Sequence, residues 1–159
     1  MKIRVGFGFD VHQLQLGLPF WMGGIEIPHL KGAVGHSDAD VLIHAICDAL
    51  LGAANMRDIG FHFSDSSSEF KGIDSKILLK RCLDLIATKG FTISNIDCTI
   101  CLQQPKIAPF IPEMLSTLAE VLNIDTDDIS IKATTTEKLG FEGREEGVSA
   151  YAVALIQQA

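Results

Sequence analysis

VGFGFDVHQ, Val5–Gln13, ends a strand-like run in an acid and an imidazole two residues apart. Around it, Ile3, Val5, Phe7, Phe9 and Val11 alternate with Lys2, Arg4, Gly6, Gly8, Asp10 and His12. A period of two marks a strand with one face buried, and it sends Asp10 and His12 to the same side. A carboxylate oxygen and an imidazole nitrogen converging there can both bind a borderline metal ion such as Zn²⁺, but two ligands are too few. Gly6 and Gly8 also form a GxG. It lies inside the strand, opens no helix and lacks the third glycine, so a dinucleotide fingerprint is rejected.

At 159 residues the chain fits a single domain spanning 1–159, on a prior of roughly 100–200 residues per domain. Its 47% hydrophobic content supplies ample core and argues against disorder. Apolar stretches are broken by His, Asp or Gly well before the roughly 18–20 residues of a membrane span, and the N-terminus lacks the apolar region of a signal peptide. A soluble cytoplasmic protein is expected. Twenty acids against thirteen bases, net charge −7, argue against a nucleic-acid surface. Cys98 and Cys101 form a lone C-x-x-C in an apparent strand, where residues three apart face opposite sides. A zinc ribbon needs a second such pair, so all four cysteines are expected to be small apolar fillers.

PFWMGGIEIPHLKG predicts a short hairpin closed by Gly23-Gly24. Ser37 is the candidate N-cap of a first helix, with Asp40 three residues on, and helical spacing runs from Val41 to about Asn55. Asp58–Gly72 is polar and serine-rich, a loop long enough to be functional. Helical patterns follow at about Asp74–Lys89 and from Pro109 to Leu122-Asn123, and strands at Thr92–Leu102, Ile129–Thr135 and Val148–Ile156. The predicted class is α+β: a mixed four-stranded sheet plus a short hairpin, with helices packed on one face.

Asp40, His44 and Asp48 are spaced i, i+4, i+8 along one stripe of the first helix. Alone, His44 would be read as a core histidine; with Asp10 and His12 waiting on a strand, it is the natural third ligand, leaving zinc one open position. Asp48 or Asp40 is then the carboxylate expected to take the other N–H of His44. His36 and Ser37, at a helix start, are placed to meet an anion such as phosphate. In ATTTEKLGF, hydroxyls and Glu137 suit Mg²⁺ or Mn²⁺ beside phosphates, with Lys106 and Arg144 as candidate cations.

GFGFDVHQL, GHSDADVLIHAICDALLGA, DIGFHFSD, QQPKIAPFIPEM and IKATTTEKLGFEGREEG, in this order and nearly end to end, resemble the 2-C-methyl-D-erythritol 2,4-cyclodiphosphate synthase family. The resemblance implies a homotrimer with active sites between subunits. It implies conversion of 4-diphosphocytidyl-2-C-methyl-D-erythritol 2-phosphate to the 2,4-cyclodiphosphate with release of CMP, in the non-mevalonate route to isoprenoids.

It further implies zinc on Asp10, His12 and His44, and a second divalent cation on Glu137. His36 and Thr135 match positions that stabilise the transition state, and Asp10, Val11, His12, His36 and Ser37 match substrate contacts. Asp58, Ile59 and Gly60, with Phe63, Ser64, Asp65, Ser66 and Ser67, match the segment that handles the methylerythritol part. Leu102, Gln103, Gln104, Pro105, Lys106, Ile107 and Ala108, with Ala133, Thr134, Thr135, Thr136 and Glu137, match the cytidine and diphosphate side, given to a neighbouring subunit. Phe141, Arg144 and Glu146 match the trimer axis, where the family has a cavity for isoprenoid diphosphates. Ser64, Ala39 and Glu142 depart from the usual pattern of FPD, of Gly in the helix approach, and of a non-acidic residue near Arg144. Two rivals remain on sequence alone: a zinc hydrolase with Asp48 or Asp58 as base, and a non-catalytic trimeric binder of nucleotide or isoprenoid.

Overall fold

A computed structural model describes residues 2–159. The chain runs β1 (Ile3–Leu16), β2 (Trp21–Met22), β3 (Ile25–Glu26), β4 (Lys31–Ala33), α1 (Val41–Ala53), α2 (Ile59–His62), α3 (Ser75–Thr88), β5 (Phe91–Cys101), α4 (Ile111–Leu122), β6 (Ile129–Thr134), α5 (Gly140–Gly143) and β7 (Gly147–Gln158). The main sheet has order β4-β1-β7-β5-β6; only β5 and β6 pair in parallel. It is thus mixed and five-stranded, one strand more than expected. The addition is β4, three residues pairing Leu14–Leu16 of β1, too short to show any period in sequence. The hairpin β2–β3 forms as expected, turning on Gly23 and Gly24, both at positive φ.

The helices lie on one face, but on the opposite side of β1 from the one that hydropathy suggests. Along β1, Gly6, Gly8 and Leu14 are buried, while Val5, Phe7, Phe9 and Val11 are 42–67% exposed. Helix α1 packs across β1 and β7 at backbone distance. A Cβ on Gly6 would stand 1.9 Å from the Ala49 carbonyl oxygen, and one on Gly8 1.9 Å from that of Ala45. β7 answers with Ala150, Ala152 and Ala154, all buried. The GxG is therefore a helix-seating device, and the larger apolar residues of β1 are left on the outer face.

Helix α1 begins later than expected. Its N-cap is Asp40 rather than Ser37, because the Asp40 carboxylate accepts from Ile43 N–H at 3.0 Å and also from the Gly23 and Gly24 amides at 3.0 and 2.7 Å. Helix start and hairpin turn are clamped on one fully buried carboxylate. The approach to the cap puts Ala39 at φ +59, the left-handed conformation for which glycine is the easier residue. The Asp58–Gly72 segment is more ordered than a plain loop. It holds α2 and a 3₁₀ turn at Ser68–Phe70, capped by Asp58 and Ser67. All four cysteines are free; Cys47, Cys82 and Cys98 are buried, and burial, then the charge of Asp97, pushes the Cys98 thiol up to about 12. No helix among the described residues is long and apolar enough to cross a membrane.

Gly8→Ala should destabilise the protein by about 3 kcal/mol or more, since its methyl meets backbone that cannot step aside. Gly52→Ala, at an α1 position with nothing within 4 Å, should stabilise it by about 0.5–1 kcal/mol. Urea denaturation of both variants checks the contrast; a Gly8→Ala loss below about 1 kcal/mol would refute the seating role.

Candidate active site

Strand alternation and the seating of α1 bring Asp10, His12 and His44 together. Asp10 Oδ2 lies 2.9 Å from His12 Nε2 and 3.0 Å from His44 Nδ1, and the two nitrogens are 3.2 Å apart. A tetrahedral ion with bonds of about 2.0–2.1 Å has ligand–ligand edges of about 3.3 Å, so the donor set fits zinc. The proton positions agree. His12 Nδ1 donates to the Val34 carbonyl at 2.9 Å, freeing Nε2, and His44 Nε2 faces the hydroxyls of Ser37 and Ser75 at 3.1 and 3.0 Å, freeing Nδ1. Three lone-pair donors then face one point, which calls for a cation.

Charge follows the same geometry. Partial burial works against the Asp10 carboxylate, yet its bonds to His12 and His44 outweigh burial and hold its pKa well below the usual range. Burial likewise opposes an imidazolium at His44, but Asp10, then Asp40 and Asp38, raise its pKa above the ordinary value.

Asp48 does not stand behind His44. It accepts from Ile59 N–H at 2.8 Å and so anchors the start of α2, while burial, then the charges of Asp58 and Asp10, raise its pKa. Asp40 does not take that place either, because its oxygens are occupied by three amides. Ser75 takes it, with the Asp38 carboxylate accepting both the Ser75 hydroxyl and its backbone N–H, the latter at 2.9 Å. Sequence reading missed both residues; the signal was the acid-serine start of α3, which carries no indication of what lies opposite it.

The triad forms one wall of a cavity of about 220 Å³. His36 and Ser37 line it, as do Ile59, Gly60, Phe63 and Asp65, each among the expected substrate contacts. His36 Nε2 donates to the Ser67 carbonyl at 3.2 Å, tying that wall to the serine-rich segment. Asp58 caps α2 through Phe61 N–H at 2.9 Å. Ser64, where proline was the usual residue, accepts from Ser66 N–H at 3.3 Å and pairs with the Ser66 hydroxyl at 2.7 Å, closing its own turn. The Val11 side chain is on the outer face of β1, turned away from the cavity by strand alternation.

A second cavity, about 300 Å³, lies between Leu102, Pro105, Lys106, Ile107 and Ala108 on one side and Ala133, Thr134 and Thr135 on the other. It shares no residue with the first. Both lie toward the same end of the sheet, with β7 between them: Asp10 is in register with Ala150, and Ile100 reaches the same residue from the far side. Gln103 accepts from Lys138 N–H at 3.3 Å and the Thr136 hydroxyl donates to the Leu139 carbonyl at 2.6 Å, so both brace the loop instead of lining the cavity. Gln104 is likewise outside its lining. Glu137 is exposed, at φ +54, its N–H on the Thr135 hydroxyl at 3.2 Å, and lines neither cavity. Arg144 is held by Glu146 at 3.0 and 3.2 Å, and Glu142 accepts from the Ser149 hydroxyl at 2.8 Å. Phe141 and Glu146 border a shallow cleft with Val11 and Gln13.

The sequence model described as the YgbB family matches residues 3–157. The chain belongs to the YgbB family. Among relatives of this YgbB-family chain, the 2-C-methyl-D-erythritol 2,4-cyclodiphosphate synthase of Bacteroides fragilis is 69% identical, over 99% of both chains. The structure of the bifunctional IspDF from Campylobacter jejuni superposes with TM-score 0.96 and 40% identity, covering 99% of this chain and 43% of that longer one. The IspF CDP complex of Plasmodium falciparum gives TM-score 0.86 and 33% identity over 98% of this chain and 96% of that one.

Metal uptake should depend on pH through the imidazoles, because a metal displaces the proton that His44 holds above the ordinary value of about 6.5 while Asp10 stays ionised. Zinc affinity should therefore weaken as pH falls from about 8 to about 6, measured by competition with a chelating dye. A flat profile over that interval would contradict it.

Proposed function

We propose that this chain converts 4-diphosphocytidyl-2-C-methyl-D-erythritol 2-phosphate to 2-C-methyl-D-erythritol 2,4-cyclodiphosphate and CMP, acting as one domain in a cytoplasmic homotrimer. The observation that carries the proposal is the pairing of a metal-ligand triad in one cavity with a separate cavity formed by residues 102–108 and 133–135. The relatives' names and the CDP-bound relative support the choice of substrate.

In the reaction an oxygen of the 2-phosphate attacks the β-phosphorus, the bond from that phosphorus to the bridging oxygen breaks, and CMP leaves with the electron pair. Nucleophile and leaving group are both phosphates, so positioning and charge neutralisation carry the catalysis and no general base is needed. Zinc on Asp10, His12 and His44, with Mg²⁺ or Mn²⁺ on Glu137, would supply Lewis-acid neutralisation of the diphosphate. His36 and Ser37 hold the phosphate edge of the triad cavity; Ile59, Gly60, Phe63 and Asp65, which line it, take the methylerythritol part, with Asp58, Ser64, Ser66 and Ser67 in the same segments. Lys106 and its neighbours take the cytidine, and Thr135 supports the developing charge. Asp48 and Asp58 each hold an α2 amide, which speaks against a hydrolase that would use either as base.

The trimer explains two features at once. Val5, Phe7, Phe9, Val11 and Val153 form an exposed apolar sheet face, larger than scattered surface residues would give. Burying it against neighbouring copies in a closed ring would let the triad cavity of one subunit meet the cytidine cavity of the next. Phe141, with the Arg144–Glu146 pair, would then border the axis, where an isoprenoid diphosphate can sit.

Glu137→Gln should retain zinc yet lower turnover at least about 10²-fold and blunt its response to added Mg²⁺, an amide being a poor ligand for a hard cation. An unaltered Mg²⁺ titration would make Glu137 structural. Two inactive variants, His12→Ala and Lys106→Glu, refolded together in equal amounts should recover about one quarter of parental CMP release, the fraction of interfaces with both halves intact under random mixing. Complete absence of rescue in mixed trimers verified by native mass spectrometry would place each site within one subunit.

A further inference from the structure

We propose that Ser75 and Asp38 are positioning residues that set the proton and ring orientation of His44; this rests on the reading of Asp10, His12 and His44 as the metal site. A neutral imidazole can carry its proton on either nitrogen, and only the Nε2–H form leaves the Nδ1 lone pair for an ion. Asp10 Oδ2, 3.0 Å from Nδ1, draws a proton toward that nitrogen, so the Nε2–H form depends on the groups that face Nε2. These are the hydroxyls of Ser37, 3.1 Å away, and Ser75, 3.0 Å away, and a hydroxyl by itself is ambiguous because it can donate or accept.

Asp38 removes the ambiguity at Ser75. Its Oδ1 takes the Ser75 hydroxyl hydrogen, and its Oδ2 accepts the Ser75 backbone N–H at 2.9 Å, so one carboxylate grips both donors of one residue. Ser75 has a single hydroxyl hydrogen, and with that committed to a carboxylate only lone pairs remain to face His44. His44 must then donate from Nε2. Ser75 is fully buried, so water offers it no competing donor.

Asp38 is itself held. It accepts from Asp40 N–H at 3.1 Å, and its own N–H donates to the Ile73 carbonyl at 3.1 Å, joining the approach to α1 to the start of α3. The relay from His44 through Ser75 to Asp38 thus spans two helices, and the carboxylate behind the ligand comes from neither turn of α1 that its spacing suggested. One consequence concerns Ser37. Its oxygen accepts from Ala39 N–H at 3.1 Å and shares the His44 proton, which leaves its own hydrogen without an acceptor among the described residues, on the wall of the cavity. Ser75 therefore orients the ligand, while Ser37 keeps its O–H for an anion.

The test measures zinc binding by competition with a chromophoric chelator for the parent, Ser75→Ala and Asp38→Asn, with His44→Ala as control. Solvent exchange of the His44 Nε2–H is followed by ¹H–¹⁵N spectroscopy of the zinc-loaded parent and both variants. Both variants should bind zinc about 10- to 100-fold more weakly, and exchange at Nε2 should quicken, a change that general loosening of the fold would not confine to this imidazole. Melting of the metal-free proteins checks that each variant folds, and two chemically different substitutions guard against the loss of either. Parental zinc affinity with unchanged Nε2–H exchange in the variants, alongside loss of zinc in His44→Ala, would overturn the positioning role and leave the triad intact. Parental affinity in His44→Ala itself would overturn the triad reading and this inference with it.

Discussion

Backbone contact between α1 and β1 is the constraint on which the remainder rests. A helix and a strand approach this closely only where the strand has no side chains on that face, and Gly6 and Gly8 meet the Ala45 and Ala49 carbonyls with no room for a single methyl. Two residues further along the same strand face, the glycines give way to Asp10 and His12, and one residue before Ala45 the helix carries His44. The separation that seats the helix is also the separation that lets three donor atoms converge within 3.2 Å. Packing and the convergence of the donor set are one requirement.

That convergence has an electrostatic price. A carboxylate and two imidazole lone pairs aimed at one point repel unless positive charge stands between them, and the same closeness holds the Asp10 pKa down and raises that of His44. Neutral partners do the orienting: the Val34 carbonyl for His12, and a serine backed by a carboxylate for His44. Charge is thus concentrated on the ligand oxygen and the outer acid, with a polar but uncharged link between them. The buried Asp40, whose burial raises its pKa against three amide bonds, holds hairpin and helix start in place around this centre.

The inverted face of β1 is the second consequence of the glycines. Because α1 occupies the glycine side, Val5, Phe7, Phe9 and Val11 are presented outward, beside Tyr151, whose ring centroid is 5.1 Å from that of Phe9. A monomer gains nothing from such a face. On the same sheet, two cavities that each lack what the other contains stand on opposite sides of β7. An incomplete site and an uncovered apolar surface are the two observations on which the proposed ring of identical chains rests.

Local chemistry made much of this legible in the sequence. The alternation through Val5–Gln13 set Asp10 and His12 on one side, helical spacing located His44, and Gly23-Gly24, Asp74 and Asn123 marked a turn, a helix start and a helix end that the chain adopts. The family resemblance named every residue that lines the second cavity and part of the lining of the first, though not Gly35, Phe70, Ile73 or Leu78. What the sequence could not determine depended on contacts between distant segments. Alternation distinguishes two faces of a strand but not which one a helix will cover, and here close approach outranked hydropathy. Spacing put Asp48 and Asp40 beside His44, whereas Ile59, Gly23 and Gly24 hold them elsewhere, and Ser75 with Asp38, 37 residues apart, fills the place. Strand β4 exists only because β1 offers it an edge. Periodicity reports what a segment can bury; tertiary packing alone decides against what it is buried.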